Sequence, residues 1–484
     1  MRLPWVRKRK GIDLSGGVNY LLHLNKIEPL GRIFLEAIDY GLPLLGFASG
    51  GIGEIANCLG LRDLMINCND SEWKHKLLHN CVTLQNNWSA ELYSLCYQNL
   101  VQYFSPRTYT NSINKYLTMN KITIIHDYPI SHFPPAMNMV NVLEERMNVE
   151  VITTAPDKGK LNYSPREARM HIPVHNKKTD STIVRLLKSI WFYLSCFWRL
   201  CITKPDAILY YESISALPVY YYKRYINRKV KVMIHYHEYM TPKEYDRPGM
   251  RRHKFCLGKE VGYLFNHADW ISQTNYKRVE LFRQDYLNIR ESVCHILPNY
   301  PPKSWWRKEK THSGDATKCV YIGSLSSSTT YVREFCEWVK KQNGKVTFDI
   351  YCFNFHQEIK DYLLQLDCKW IQFYEEGVAY YNIPGVLSKY DVGMLMYKAT
   401  TPNVIWCETN KFYEYLICGL DVWYPKEMLL LHAMNKNKFA PKIIEVDFKD
   451  INIEIENTSR KIDNTSYSCF ADEVYNDFYK YINQ

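Results

Sequence analysis

Glu28-Pro-Leu-Gly-Arg-Ile-Phe-Leu-Glu36, running into Ala37-Ile-Asp-Tyr-Gly-Leu-Pro-Leu-Leu45 and then Gly50-Gly-Ile-Gly-Glu54, decides how the rest of the chain is read. One carboxylate precedes a helix that starts at Gly31, and the second, Glu36, lies on it. The free N–H groups and positive dipole end at such a helix start suit a diphosphate, and Arg32 is placed to meet the same anion. Glu36, further along, can accept paired hydrogen bonds from a ribose diol, while Glu28 can face sugar hydroxyls. Gly50, Gly51 and Gly53 allow a backbone approach that a Cβ would block.

Carboxylate, helix, Gly-Leu-Pro turn, apolar strand and glycine loop together resemble the nucleotide-sugar site of GT-B glycosyltransferases of the retaining family 4 type, with their E-x7-E signature. The resemblance spans residues from about 20 to 117. An ordinary strand–helix turn carrying two solvated glutamates is the plain alternative. Only 27 residues precede Glu28, so the strands that such a domain normally offers first are expected to be missing. Either the sequence starts inside a longer tandem protein or a partner completes the sheet.

Length and composition set the frame. The 484 residues should hold two to four domains. With 61 Lys+Arg against 50 Asp+Glu the net charge is +11, which fits anionic nucleotide-sugars or an anionic membrane surface better than nucleic acid. The fifteen cysteines are scattered without CxxC pairs or metal-ligand spacing, so a reducing, cytoplasmic setting, at most at the inner face of a membrane, is expected. The basic stretch Met1–Lys10 is followed by no apolar core of a secretory signal.

Outward from the opening stretch, the chain divides near Met119. At Lys121-Ile-Thr-Ile-Ile-His126 an apolar strand begins afresh, and strands at Val149, Asp206–Tyr211, Lys231–Tyr236 and Cys294 follow with helical segments between. A polar linker from Pro301 to Thr317 separates these from a second series at Lys318, Val346–Tyr351, Trp370–Phe373 and Asp391–Met396. Strands alternating with helices predict doubly wound parallel sheets. The fold expected is α/β of GT-B type: a nucleotide-binding half-domain at 1–118, then twin Rossmann-like domains at 121–303 for acceptor and 304–484 for nucleotide-sugar. The amphipathic segment Phe470–Ile482 is read, by the same resemblance, as a last helix crossing back to the first of the twin domains.

An internal repeat ties the two parts together. Glu36-Ala-Ile-Asp-Tyr-Gly-Leu-Pro-Leu can be laid on Glu414-Tyr-Leu-Ile-Cys-Gly-Leu-Asp-Val. Asn410-Lys-Phe-Tyr-Glu414 looks like the family's Asn-Lys-x-x-Glu helix start. Asn410 is expected to cap that helix, Lys411 to place a cation near the phosphates and Glu414 to take the ribose. Two departures stand out. Trp406 occupies the place of the first glutamate, leaving Glu408 as the nearest acid. The loop Gly323-Ser324-Leu-Ser-Ser-Ser-Thr-Thr330 has no Arg or Lys where the family neutralises the leaving diphosphate, so Arg333 is expected to reach in.

His235-Tyr-His237-Glu238 ends a strand where α/β folds place ligands, and the resemblance puts His237, with Glu238 beside it, near the donor sugar. Taken alone, either histidine is as readily structural as functional. Two histidines on one strand face with no third ligand do not make a metal site. Asp127 and His132, in the first strand–helix loop, are candidates for touching the acceptor, and Asn299 is read as an interdomain turn. Ile183–Thr203 is aromatic and basic, broken by Arg185, Lys188 and Arg199. It suits either a membrane interface or a core-facing helix.

These residues point to transfer of a sugar from a UDP- or GDP-sugar co-substrate to a glycan or lipid-linked acceptor, as in cell-surface polysaccharide synthesis, with retention and with neither metal nor other cofactor. Catalytic candidates are His237, Glu238 and Glu28. Donor-binding candidates are Gly31, Arg32, Glu36, Gly323, Ser324, Arg333, Glu408, Asn410, Lys411 and Glu414. A sugar-nucleotide 2-epimerase of the same fold and a non-catalytic nucleotide-sugar-binding module that supports a partner enzyme are the alternatives.

Overall fold

A computed structural model describes residues 21–24, 32–39, 41–42, 44–48, 52–67, 69–87, 89–104, 120–156, 163–177, 179–312, 316–352, 354–434, 441–455 and 459–483. The chain separates into two compact units, Met1–Met119 and Asn120–Gln484.

In the first unit, strands β1 (Leu21–His23), β2 (Leu44–Phe47) and β3 (Met65–Ile66) form a parallel sheet in that order. Helices Arg32–Asp39, Ile52–Leu59, Trp73–Asn87 and Ala90–Phe104 accompany it. A small core built from Ile38, Leu44, Ile55, Leu59 and Leu100 holds the helices to the sheet.

The second unit carries two larger parallel sheets. In the first, β4 (Lys121–His126), β5 (Asn148–Ala155), β6 (Arg169–His175), β7 (Ala207–Tyr211), β8 (Lys231–Tyr236), β9 (Trp270–Gln273) and β10 (Cys294–Ile296) run in the order β10-β9-β8-β7-β4-β5-β6. These strands read as near-continuous apolar runs because both faces are covered. Ile208 and Tyr210 pack with Phe192, Cys196 and Leu200 on one face. Leu209 and Tyr211 point the other way, toward Tyr475, Phe478 and Ile482. The helix Ala471–Ile482 that supplies those residues is fixed by Tyr475 donating to the Pro135 carbonyl at 3.1 Å and by Lys231 donating to the Ile482 carbonyl at 2.7 Å.

Strand β11 (Glu309–His312) pairs antiparallel with β18 (Arg460–Asp463). The second large sheet contains β12 (Thr317–Ile322), β13 (Val346–Tyr351), β14 (Ile371–Tyr374), β15 (Val392–Met394), β16 (Asp421–Pro425) and β17 (Ile443–Val446), in the order β14-β13-β12-β15-β16-β17. In each large sheet the winding reverses beside the first strand, between β4 and β7 and between β12 and β15. Such switch points open a crevice at the carboxyl ends of the strands.

The internal repeat is visible in both units. Gly41 and Gly419 have φ of +77° and +75°. The amide of Gly41 donates to the Ile38 carbonyl and that of Leu42 to Ala37. Likewise Gly419 donates to Leu416 and Leu420 to Tyr415. The left-handed residue and the paired bonds end each helix in a Schellman-type turn, and a parallel strand follows.

Candidate functional site

Glu28, Gly31, Gly50 and Gly51 lie outside the described residues. Arg32 and Glu36 fall on the helix Arg32–Asp39, but their side chains lie outside the described residues as well. The site can therefore be built in the second unit alone.

At the switch point of the second large sheet, the helix Asn410–Ile417 lies across β12 and β15. Tyr415 fixes it there: its ring packs where a Cβ on Gly393 of β15 would stand, and its hydroxyl accepts from the Ile322 amide of β12 at 3.2 Å. The N-cap is Thr409, whose hydroxyl accepts from the Phe412 amide. Asn410, expected as the cap, is instead the first helical residue, and its amide donates to Glu414 Oε1 at 3.1 Å. A threonine with extended backbone can cap here, which leaves Asn410 one position inside the helix.

Lys411 reaches back over the end of β12. A Cβ on Gly323 would overlap its terminal methylene and lie 3.1 Å from Nζ. The ammonium donates to the Tyr397 hydroxyl at 3.2 Å. Burial opposes its charge, but Tyr397 and Glu414 outweigh burial and raise its pKa above the ordinary lysine value. Glu414, one turn along, is buried, and this pushes its carboxyl up to about 7 against the opposing pull of Lys411 and Asn410. The result is a cation and a carboxylate in low dielectric at a strand end.

The loop after Gly323 has no cation of its own, and one arrives from β15's extension. Thr330 bridges Tyr397 in antiparallel fashion, and Lys398 Nζ donates to the Ser327 carbonyl at 2.9 Å while pairing with Glu334 at 3.0 Å. Ser324 is exposed, and its carbonyl accepts from Tyr321 at 2.7 Å. Arg333 is turned away from the expected place: its guanidinium lies 4.4 Å over the Tyr362 ring and donates to the Glu358 carbonyl. Glu408 is buried, and its Oε2 accepts from Tyr413 at 2.7 Å.

The carboxyl ends of the first large sheet gather His126, Asp127, Glu212, His235, His237 and Glu238. His237 is stacked on Tyr211, with centroids 4.7 Å apart and planes 8° from parallel, and on Phe133 at 5.1 Å. Its Nε2 is buried without a hydrogen-bond partner. Burial, then His235, His126 and Arg278, hold its pKa far below the usual histidine value, so the ring is neutral. His235 differs in being anchored, its Nδ1 2.9 Å from Ser272 Oγ. Glu238 is exposed beside them. Asp127 pairs with Arg252 at 2.8 Å, and burial raises its carboxyl to about 6 despite that guanidinium. His132 is exposed on the short turn that follows, and desolvation by its surroundings lowers its pKa.

Glu212 is the residue that sequence reasoning missed. It ends β7 with φ of +61°, a strained backbone for a side chain of this size. Its Oε1 accepts from the His237 amide at 2.7 Å, and burial followed by repulsion from Glu238 raises its carboxyl to about 8. The signal was available: an apolar run, Ala207–Tyr211, closing on an acid at the same sheet edge as His237.

One buried arginine joins the first cluster to the segment that leads into the 410–417 helix. Arg278 donates through Nη1 to the His237 carbonyl and to Thr274 Oγ1, each at 2.9 Å, and through Nη2 to the Asn403 carbonyl at 2.7 Å. Asn403 Oδ1 accepts from the Tyr239 amide at 2.9 Å, and the Trp406 carbonyl accepts from Asn275 at 3.0 Å. The segment leading to Glu408 and the 410–417 helix is thus seated on the ends of β8 and β9. Among the described residues no group of three His, Cys, Asp or Glu could hold a metal ion.

No family model matches the chain, and no curated protein matches it. Among solved structures, it is similar to the apo form of the lipopolysaccharide outer core galactosyltransferase WaaB, with a TM-score of 0.50 and 12% identity over 75% of this chain and 99% of that one. Sucrose-phosphate synthase from Thermosynechococcus elongatus gives 0.50 and 11% over 68% and 86%. Anabaena HepE in complex with UDP-glucose gives 0.47 and 11% over 67% and 85%. At such identities the likeness to the first two speaks to the fold alone, and with the two switch-point sheets it gives this chain a GT-B fold of twin Rossmann-like domains.

Proposed function

We propose that this chain is a glycosyltransferase that moves a sugar from a UDP- or GDP-sugar to a glycan or lipid-linked acceptor, in the cleft between an acceptor domain at 121–303 and a donor domain at 304–484. The observation that carries the reading is the seating of Lys411 across Gly323, with Glu414 one turn further along the same helix. The diphosphate lies at the end of β12, against Lys411 and the backbone of Gly323 and Ser324, with Lys398 steadying the loop. The ribose hydroxyls meet Glu414, and the donor sugar points toward neutral His237 and the Glu212–Glu238 pair. A neutral imidazole with an unpartnered Nε2 can hydrogen-bond a sugar hydroxyl without adding charge. Developing charge on the leaving diphosphate is met by Lys411, the kind of preorganised stabilisation that supplies much of an enzyme's rate, so the lysine takes the part a divalent metal would play; retention is carried over from the family resemblance.

The loop Gly323–Thr330, lacking its own cation, favours a second reading, a module that binds nucleotide-sugar without turning it over. Incubating the full chain with a panel of UDP- and GDP-sugars and candidate glycans separates the possibilities. Free nucleotide with a glycosylated product supports the transferase. A new epimer means a 2-epimerase, and binding without turnover means the module.

A further inference from the structure

The helix Thr182–Thr203 spans about 33 Å at 1.5 Å per residue, and only a narrow face of it is buried, through Ser189, Phe192, Cys196 and Leu200. The opposite face is apolar and open. Ile183 is 71% exposed, Trp191 59% and Trp198 67%, with Leu187, Leu194 and Ile202 completing the stripe. An apolar surface of this extent on a folded chain marks a contact site.

Two neighbouring segments extend it. Residues 221–231 expose Tyr221, Tyr225 and Ile226, and helix Arg251–Lys259 exposes Phe255. Arg252 ties that helix to Ser189 through a hydrogen bond, and Tyr193 Oη lies 3.7 Å from Cys256 Sγ. The short helix Ala216–Tyr221 packs against both long ones.

Charge selects the occupant. Residues 182–203 carry three Lys and Arg, residues 221–231 five and residues 251–259 four, and the three segments contain no Asp or Glu. Of these twelve, Lys188, Arg199, Arg252 and Lys254 pair with Asp180, Glu150, Asp127 and Asp246, Lys223 is buried and Lys231 holds the Ile482 carbonyl, while Arg224, Arg228, Lys229 and Arg251 stand exposed at the margin of the apolar face. A second copy of this chain would bring these exposed cations against themselves and a protein partner would require a matching acidic face, whereas an anionic bilayer offers negative charge and hydrocarbon at once. We infer that this face docks on anionic lipid, with Trp191 and Trp198 at the headgroup boundary and Arg224, Arg228 and Lys229 against the lipid phosphates. Among the described residues no helix is long and apolar enough to cross a membrane, so the contact is a surface one.

The test is co-sedimentation of the full chain with phosphatidylcholine vesicles, with and without phosphatidylglycerol. Binding is expected only to the anionic vesicles and is expected to fall as salt rises. Trp191→Glu with Trp198→Glu, and separately Arg224→Glu with Lys229→Glu, should each weaken the partition at least about tenfold. Circular dichroism should match the wild type; where the tryptophan pair fails to fold, Leu194→Asn serves instead. Equal partition of wild type and variants, or no sedimentation with anionic vesicles, overturns the inference. So does a dimer by light scattering that dissociates in the tryptophan variant, since a second copy would then cover the face.

Discussion

Lys411 lies across Gly323, its ammonium 3.1 Å from where a Cβ on that glycine would stand. The two residues are 88 positions apart in sequence, and their approach needs both the bare glycine at the end of β12 and the placement of the 410–417 helix by Tyr415 over Gly393. A partly buried cation is thereby held at a topological switch point.

Gly323→Ala should therefore act on binding more than on folding. The added methyl meets the flexible end of Lys411 rather than backbone, so the lysine moves aside. Nucleotide affinity is expected to drop about tenfold or more, the loss of one charge-assisted contact, with the melting temperature little changed. Titration of UDP alongside a thermal melt checks both halves; unchanged affinity would remove Lys411 from the diphosphate.

Arg278 makes the opposite prediction. It is buried, and its guanidinium links the His237 carbonyl to the Asn403 carbonyl. Arg278→Met leaves those carbonyls without their donor and should destabilise by about 2–4 kcal/mol. Urea denaturation measures this directly. A loss under about 0.5 kcal/mol, the size of an ordinary surface substitution, would mean that the link between the strand-end clusters contributes little.

A buried carboxyl with raised pKa gives a pH dependence of known sign. Glu260 accepts from Tyr210 and Tyr236 at 2.8 and 2.9 Å, and burial raises it to about 7 from 4.5. The folded chain holds a proton there that the unfolded chain releases above about 4.5. Its contribution is therefore full at low pH and is lost as pH rises through about 7. Glu260→Gln removes that titration, so the variant should gain roughly 1–3 kcal/mol on wild type between pH 5 and pH 8. Denaturation curves at several pH values show it; a gap that stays constant with pH would mean that Glu260 does not titrate in this window.

Much of the fold was legible in the sequence because parallel strands buried on both faces leave long apolar runs, as at Lys121–His126 and Lys231–Tyr236. Strand β6 was harder: Pro173 interrupts it, and its pairing with β5 slips between Ile152 and Thr154 at the sheet edge, where proline is tolerated. The four-residue β9 leaves too short a pattern to read. In the candidate site, Lys411 and Glu414 could be picked out because they share one helix turn. Lys398 could not, since it reaches the Ser327 carbonyl through a bridge between segments about seventy residues apart. The cap at Thr409 rather than Asn410 shows the usual one-residue looseness of helix starts.

The central claim is that Glu414 receives the ribose of a nucleotide bound at Gly323 and Lys411. Calorimetric titration of UDP and GDP into the full chain and into Glu414→Ala and Glu414→Gln variants tests it most directly. Charge-assisted bonds contribute ~1.5–3 kcal/mol each, so the account predicts that one nucleotide binds the wild type, that the alanine variant binds it at least about tenfold more weakly, and that the glutamine variant falls between. Equal affinities across the three proteins would contradict it.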